Sequence, residues 1–317
     1  MKPVACSLLA CGLEDARAFG LDDYAGALPR WCPGCGDHAV LTAVERLLEA
    51  EQLKPEQTVF VSGIGCSSRF PHYLSTYGFH GLHGRALPVA TGIRLHRPDL
   101  EVFVVMGDGD CCSIGAGHWI HAVRYNLRMV ALMLDNAMYG LTKGQTSPTT
   151  PAGFPSNTQP LGSYLQALNP IQTTLGVTNA SFVAQTAEWI PAHLYETLRA
   201  AYRHDGFAFV RVLQRCPVYS KAVYEETVRH PSAIEMLVHE DGVLVPELEK
   251  IYGNRVRHDP RDLGAARALA EPDERVRLGV FYRNPETPRY DDLRRLPVHT
   301  ADEKVALLNA ELDRYAV

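Results

Sequence analysis

Short, almost wholly apolar runs recur along the chain, separated by stretches in which apolar residues return every three or four positions. The runs TVFVSG (58–63), EVFVVMGDGD (101–110), MVALMLDN (129–136), ASFVAQ (180–185) and GFAFVRVLQ (207–215) predict strands buried on both faces, because a half-exposed strand would alternate polar and apolar residues. Helical spacing marks DHAVLTAVERLLEAEQ (37–52), where Asp37 can cap the start, and RALPVATGIRLHR (85–97), despite Pro88 and Gly92. It also marks CCSIGAGHWIHAVRYN (111–126) and PAHLYETLRAAYRH (191–204). Strands alternating with helices predict a doubly wound parallel α/β sheet covered on both faces, with ligands at the carboxyl ends of its strands. From Ser220 onward the pattern gives way to charged, proline-punctuated segments such as HEDGVLVPEL and YRNPETPRYDDLRRLP. The chain is therefore expected to comprise an N-terminal arm (1–28), a ligand-binding domain (29–219) and a C-terminal extension (220–317) packed on a partner.

Composition narrows the setting. At 317 residues, 46% hydrophobic and 21% charged, the chain resembles an ordinary folded protein. Its net charge of −5 has no basic stripe, which argues against nucleic acid as a partner. No apolar run approaches the roughly 20 residues that span a bilayer. Leu8-Leu9-Ala10-Cys11 resembles the end of a lipoprotein signal, but a single lysine precedes it and the acidic GLEDARAFGLDDY that follows suits a surface arm. The eight cysteines are not spaced as a secreted disulfide framework, so a cytoplasmic protein is expected.

Two motifs carry candidate chemistry. In VVMGDGD a buried strand ends in Gly107-Asp108-Gly109, so the backbone can approach a ligand closely while one carboxylate projects from the strand end. The helix N-terminus that follows offers free N–H groups to an anion, and Asp108 can hold Mg²⁺, which prefers hard oxygen ligands. Asn136 ends the next strand; if the two strands are neighbours, a carboxylate and an amide oxygen converge where a magnesium diphosphate would sit. Taken singly, GDG is equally a tight turn and Asp-Asn a loop start. The second motif is WCPGCG (31–36), whose Cys32 and Cys35 suit a redox dithiol, half of a zinc site, or two of the four thiolates of an iron–sulfur cluster. Cys66 in GIGCSS and Cys216 before Pro217 are further candidates, whereas Cys111 and Cys112 read as buried apolar residues and nothing supports a ligand role for Cys6 or Cys11.

The segment GDGD…DNAMYGLTKGQTSPT resembles the thiamine-diphosphate motif of the β subunits of 2-oxoacid:ferredoxin oxidoreductases. The similarity runs from WCPGCGDH through SGIGCSSRF and TYGFHGLHGRALPVATG to RCP at 215–217. It implies Mg²⁺ held by Asp108, Asn136 and the carbonyl of Met138. Gly65, His83, Gly107, Gly109, Asp110, Tyr139, Gly140 and Leu141 would line the thiamine diphosphate, and Cys32, Cys35, Cys66 and Cys216 would hold one 4Fe–4S cluster. The implied reaction is oxidative decarboxylation of a 2-oxoacid, or its reverse, with the acyl group passed to coenzyme A and electrons passed singly through the cluster to ferredoxin. A separate α subunit is implied, because only one thiamine-binding domain is visible. Arg85, Lys143 and Gln145 fall in loops bordering the cofactor, and His118 and His121 lie on a helix as packed or solvated residues. Arg69, three positions beyond Cys66, suits the second carboxylate of 2-oxoglutarate, and its surroundings resemble the 2-oxoglutarate branch more than the pyruvate branch. Two alternatives are a non-oxidative thiamine-dependent decarboxylase subunit, which needs no cluster, and a zinc-stabilised scaffold, which needs no diphosphate.

Overall fold

The structure, a computed structural model, describes residues 18–294 and 299–315. Its strands are β1 (Thr58–Ser62), β2 (Tyr77–His80), β3 (Glu101–Gly107), β4 (Met129–Asp135), β5 (Met138–Tyr139), β6 (Gln145–Thr146), β7 (Phe182–Ala187), β8 (Phe207–Leu213), β9 (Ile234–Val238), β10 (Arg255–Arg257) and β11 (Val276–Arg283). Nine of these form one sheet in the order β10-β9-β11-β7-β8-β4-β3-β1-β2, while β5 and β6 make a small antiparallel ribbon. Every junction from β2 to β7 is parallel, so the expected parallel α/β architecture holds. In particular β3 and β4 are neighbours, with Gly107 opposite Leu134.

Successive strand residues feed opposite faces of the sheet. Val102, Val104, Met106, Ala131, Met133, Phe207 and Phe209 fill one core with the helices Ala86–His96 and Ala116–Tyr125. Phe103, Val105, Val130, Leu132, Ala208 and Val210 fill the other with Asp37–Ala50 and Pro191–Tyr202. Burial on both sides is why these strands read as unbroken apolar runs.

Three details differ from the sequence pattern. The helix expected over 111–126 is divided, because a wide turn at Asp110–Ile114 closes with the Gly115 N–H on the Asp110 carbonyl at 3.1 Å before Ala116–Tyr125 begins. The glycine- and histidine-rich stretch after Gly63 contains β2, an exposed edge strand without the apolar signature of its neighbours. The stretch read as an extension enters the sheet: β9, β10 and β11 run parallel to one another, and β11 joins β7 antiparallel. Beyond them the helix Ala301–Asp313 is exposed throughout. Cys6, Cys11 and the signal-like segment lie outside the described residues. Among the described residues no helix is long and apolar enough to cross a membrane.

Candidate functional site

At the carboxyl ends of β1, β3 and β4 lies a cavity of about 140 Å³. Its wall combines Ile64, Gly65, Cys66 and Ser67 after β1, His83, then Gly107 at the end of β3 and Asp108 to Asp110 beyond it, and Leu134 near the end of β4 with Asn136 and Met138 to Thr142 beyond it. The GDG turn, the asparagine and one candidate cluster cysteine therefore share one space. Gly109 is required by packing: a Cβ there would stand 2.2 Å from the Tyr139 ring, whose hydroxyl donates to the Gly109 carbonyl at 3.2 Å. At Gly140 a Cβ would stand 3.6 Å from Cys66 Sγ, so the thiol lies directly beside this wall.

The turn after β4 is bent to present its polar groups. Ala137 has φ +58°, a left-handed conformation that a non-glycine residue adopts at some cost in energy. Three bonds hold it there: Ala137 N–H to Asp135 Oδ1 at 3.0 Å, Met138 N–H to Asn136 Oδ1 at 3.1 Å, and Thr150 Oγ1 to the Ala137 carbonyl at 2.7 Å.

Asp108 is 2% exposed. Burial, and then the neighbouring charge of Asp135, pushes its carboxyl up to about 7. Thr149 Oγ1 lies 2.8 Å from Asp108 Oδ2 and 2.8 Å from Asp135 Oδ1, while Arg211 clasps Asp135 Oδ2 through Nε at 2.8 Å and Nη2 at 2.6 Å. A buried acid at the cavity is thus backed by a second acid that is itself neutralised. Asp110 works differently: its Oδ1 receives the Gly84 N–H at 2.6 Å and the Ile64 N–H at 3.2 Å, with His83 Nδ1 at 2.5 Å. It ties the β1 loop to the 83–84 loop, and its buried Oδ2 has no partner.

Of the four thiols predicted from sequence, Cys66 is on the cavity wall, and Cys32, Cys35 and Cys216 lie near enough to act on it or on one another electrostatically. The Cys32–Cys35 turn closes with Cys35 N–H on the Cys32 carbonyl at 3.0 Å and docks on the end of β8 through Gly36 N–H to the Arg215 carbonyl at 3.1 Å. Glu188 pairs with Arg215 and packs so tightly on Gly36 that a Cβ there would lie 2.6 Å from its Cγ. Trp31 Nε1 donates to the Cys66 carbonyl at 2.7 Å. Burial raises the Cys35 thiol far above its ordinary value and Cys66 to about 12, and each feels the charge of Cys216. Asp37, also buried, lies against Cys35 and is raised to about 7, chiefly by burial.

Other predicted residues fall outside the cavity wall. The Arg69 guanidinium lies over the Tyr73 ring, 5.7 Å from its centroid, and its charge opposes the rise at Cys66. Arg85 reaches the Ile114 carbonyl at 3.3 Å, and Gln145 bonds to Thr142. Lys143 holds φ +79° in the loop beyond the wall. His118 and His121 sit on the helix Ala116–Tyr125, His121 beside Arg124. Cys111 and Cys112 are buried in the first core, as expected. Sequence reasoning did not single out Asp135, Thr149, Arg211, Glu188 or Gln214; of these only Asp135, an acid at a strand end beside Asn136, carried a local signal. Among the described residues, no three His, Cys, Asp or Glu side chains converge as ligands of one metal ion.

Residues 63–212 match the family model described as thiamine pyrophosphate enzyme, C-terminal TPP binding domain. The chain is 47% identical over 209 residues to 2-oxoglutarate oxidoreductase subunit KorB of Mycobacterium tuberculosis, a match spanning 66% of this chain and 56% of the relative's length. It is 37% identical over 279 residues to 2-oxoacid:ferredoxin oxidoreductase 1, subunit beta, of Aeropyrum pernix, spanning 87% and 85%. It superposes with a TM-score of 0.78 and 34% identity on 2-oxoglutarate:ferredoxin oxidoreductase from Magnetococcus marinus, solved with 2-oxoglutarate, coenzyme A and succinyl-CoA bound, covering 93% of this chain and 97% of that one.

Proposed function

The chain belongs to the β subunits of the 2-oxoacid:ferredoxin oxidoreductases, and we propose that it carries the thiamine diphosphate and the iron–sulfur cluster of an enzyme of the 2-oxoglutarate type. One observation carries the reading: Cys66 shares a cavity wall with Asp108 and Asn136, so a hard-oxygen cation site and a thiol group meet in one space. A non-oxidative decarboxylase has no use for the second half of that pairing. A zinc scaffold has no use for the first.

The donor chemistry suits each group. Asp108, Asn136 and the Met138 carbonyl are hard oxygens of the kind Mg²⁺ takes, and the bent turn at Ala137 brings the last two onto one short segment. Cys32, Cys35, Cys66 and Cys216 supply four thiolates, each for a different iron, so they need not meet at a point. When bound, these groups supply the electron sink for decarboxylation, the anchor for the diphosphate and a one-electron acceptor.

This chain's own residues do the placing. Asp108, released of its proton, fixes the cation, and Thr149 donates to the carboxylate from behind. Asp110 fastens the loops that carry Ile64 and His83, so the cavity keeps its shape. Ile64, Leu134, Met138 and Leu141 make part of the wall apolar. Arg69, beside Cys66 but off the wall, is the proposed reader of the distal substrate carboxylate. A pyrimidine-binding α subunit completes the site, coenzyme A and a 2-oxoacid are the small-molecule substrates, ferredoxin is the electron partner and the cytoplasm is the proposed location. Residues 29–219 hold the cofactors, and the exposed part that follows β11 packs on the partner; most of the arm expected over 1–28 lies outside the described residues. The test is anaerobic coexpression with the α subunit and assay of viologen reduction against a panel of 2-oxoacids. Coenzyme A-dependent reduction with 2-oxoglutarate supports the reading; carbon dioxide release without acceptor reduction overturns it.

A further inference from the structure

Gln214, one residue past β8, is 1% exposed and lies between the CxxC turn and Cys216. Its backbone N–H donates to the Asp135 carbonyl at 2.9 Å, which ties it to the end of β4, between Leu134 and Asn136 of the cavity wall. Its side-chain Nε2 is 2.6 Å from the Arg215 carbonyl oxygen and 3.3 Å from Cys35 Sγ. The carbonyl settles the orientation of the amide, because the reversed form would set two acceptors against each other. One amide hydrogen therefore goes to the carbonyl and the other to sulfur. Among the described residues it is the side chain that donates to one of the four proposed ligand sulfurs. The other N–H···S contacts are from backbone, Tyr219 N–H to Cys216 Sγ at 3.4 Å and Asp37 N–H to Cys35, and the Trp31 N–H is spent on the Cys66 carbonyl.

Resting on the reading of these cysteines as cluster ligands, we propose that Gln214 sets the reduction potential of the cluster through its hydrogen bond to the Cys35 thiolate. A reduced cluster carries one more negative charge than an oxidised one, and part of that charge resides on the thiolates. An N–H donor on sulfur stabilises the reduced form more than the oxidised form, and the effect is strong where water is excluded. Gln214 thus favours the reduced cluster. It is a positioning and tuning residue, not a ligand.

The test is an EPR-monitored redox titration of the anaerobic complex with its α subunit, comparing wild type with Gln214→Met and Gln214→Leu, both donor-free. Iron and sulfide contents are expected to match wild type, with both midpoints moved to lower potential. Deuteron ENDOR after exchange into D₂O is expected to lose one exchangeable coupling in each variant. Unchanged midpoints would overturn the proposal, as would loss of iron from both variants, which would make Gln214 a brace for the Arg215 carbonyl. Wild-type protein without iron would instead remove the cluster reading itself.

Discussion

Thr149→Val replaces a hydroxyl by a methyl of nearly the same shape, so it removes the hydroxyl's hydrogen bonds and little else. The hydroxyl has one proton and two carboxylates within 2.8 Å. Asp135 already accepts from Arg211 and from the Ala137 N–H, so the proton goes to Asp108. Removing a donor from a buried carboxylate costs about 1–3 kcal/mol, and no cavity is created to add to it. The cost depends on pH with a definite sign. The Asp108 carboxyl is raised in the folded protein from its ordinary 3.8 to about 7, so burying its charge weakens the fold progressively as pH rises through that range. The hydroxyl holds that value down by stabilising the charged form, and its loss raises it further. The variant's deficit is therefore fullest above pH 7 and shrinks as both forms become protonated in acid. Urea unfolding of metal-free protein, followed by tryptophan fluorescence, measures it at pH 8, 6.5 and 5. A deficit below about 0.5 kcal/mol at pH 8, or one of equal size at all three values, would refute the assignment of the proton to Asp108.

Gly109→Ala places a Cβ 2.2 Å from the Tyr139 ring and should weaken thiamine-diphosphate binding by at least about tenfold, roughly 1.4 kcal/mol; calorimetry giving wild-type affinity would show that the ring yields freely. Asp110→Ala leaves the Ile64 and Gly84 N–H groups without their acceptor and should cost about 2–4 kcal/mol of stability. Wild-type denaturation midpoints would mean that the two loops stand without it. Arg69→Ala should lower kcat/KM for 2-oxoglutarate by about 2–4 kcal/mol of transition-state binding and spare pyruvate and 2-oxobutyrate. An equal fall for all three would assign Arg69 to support of the Cys66 loop.

The central sheet was legible because its strands are buried on both faces and announce themselves as apolar runs. β2 and the strands after Ser220 were not: β2 is an exposed edge, and β10 is three residues long with arginine at both ends. The GDG turn and Asn136 could be read from their places at strand ends, and their convergence followed once β3 and β4 proved adjacent. What surrounds them could not. Thr149 reaches Asp108 from a separate loop, Arg211 reaches Asp135 across neighbouring strands, and Gln214 meets Cys35 from the far end of the domain. Such contacts exist only after folding and leave no local periodicity. Arg69 shows the converse, since proximity to Cys66 in sequence did not put it on the cavity wall.

The central claim is that one chain places a diphosphate-held cofactor beside an electron acceptor. The most direct measurement is the EPR spectrum of the anaerobic complex with its α subunit, frozen after 2-oxoglutarate is added, for wild type, Cys66→Ser and Asp108→Ala. A reduced-cluster signal should appear in wild type and fail in both variants. Cys66→Ser should lack its full iron complement, whereas Asp108→Ala should keep it and remain reducible by dithionite. No substrate-induced signal in iron-replete wild type, or the full signal in Asp108→Ala, would contradict the account.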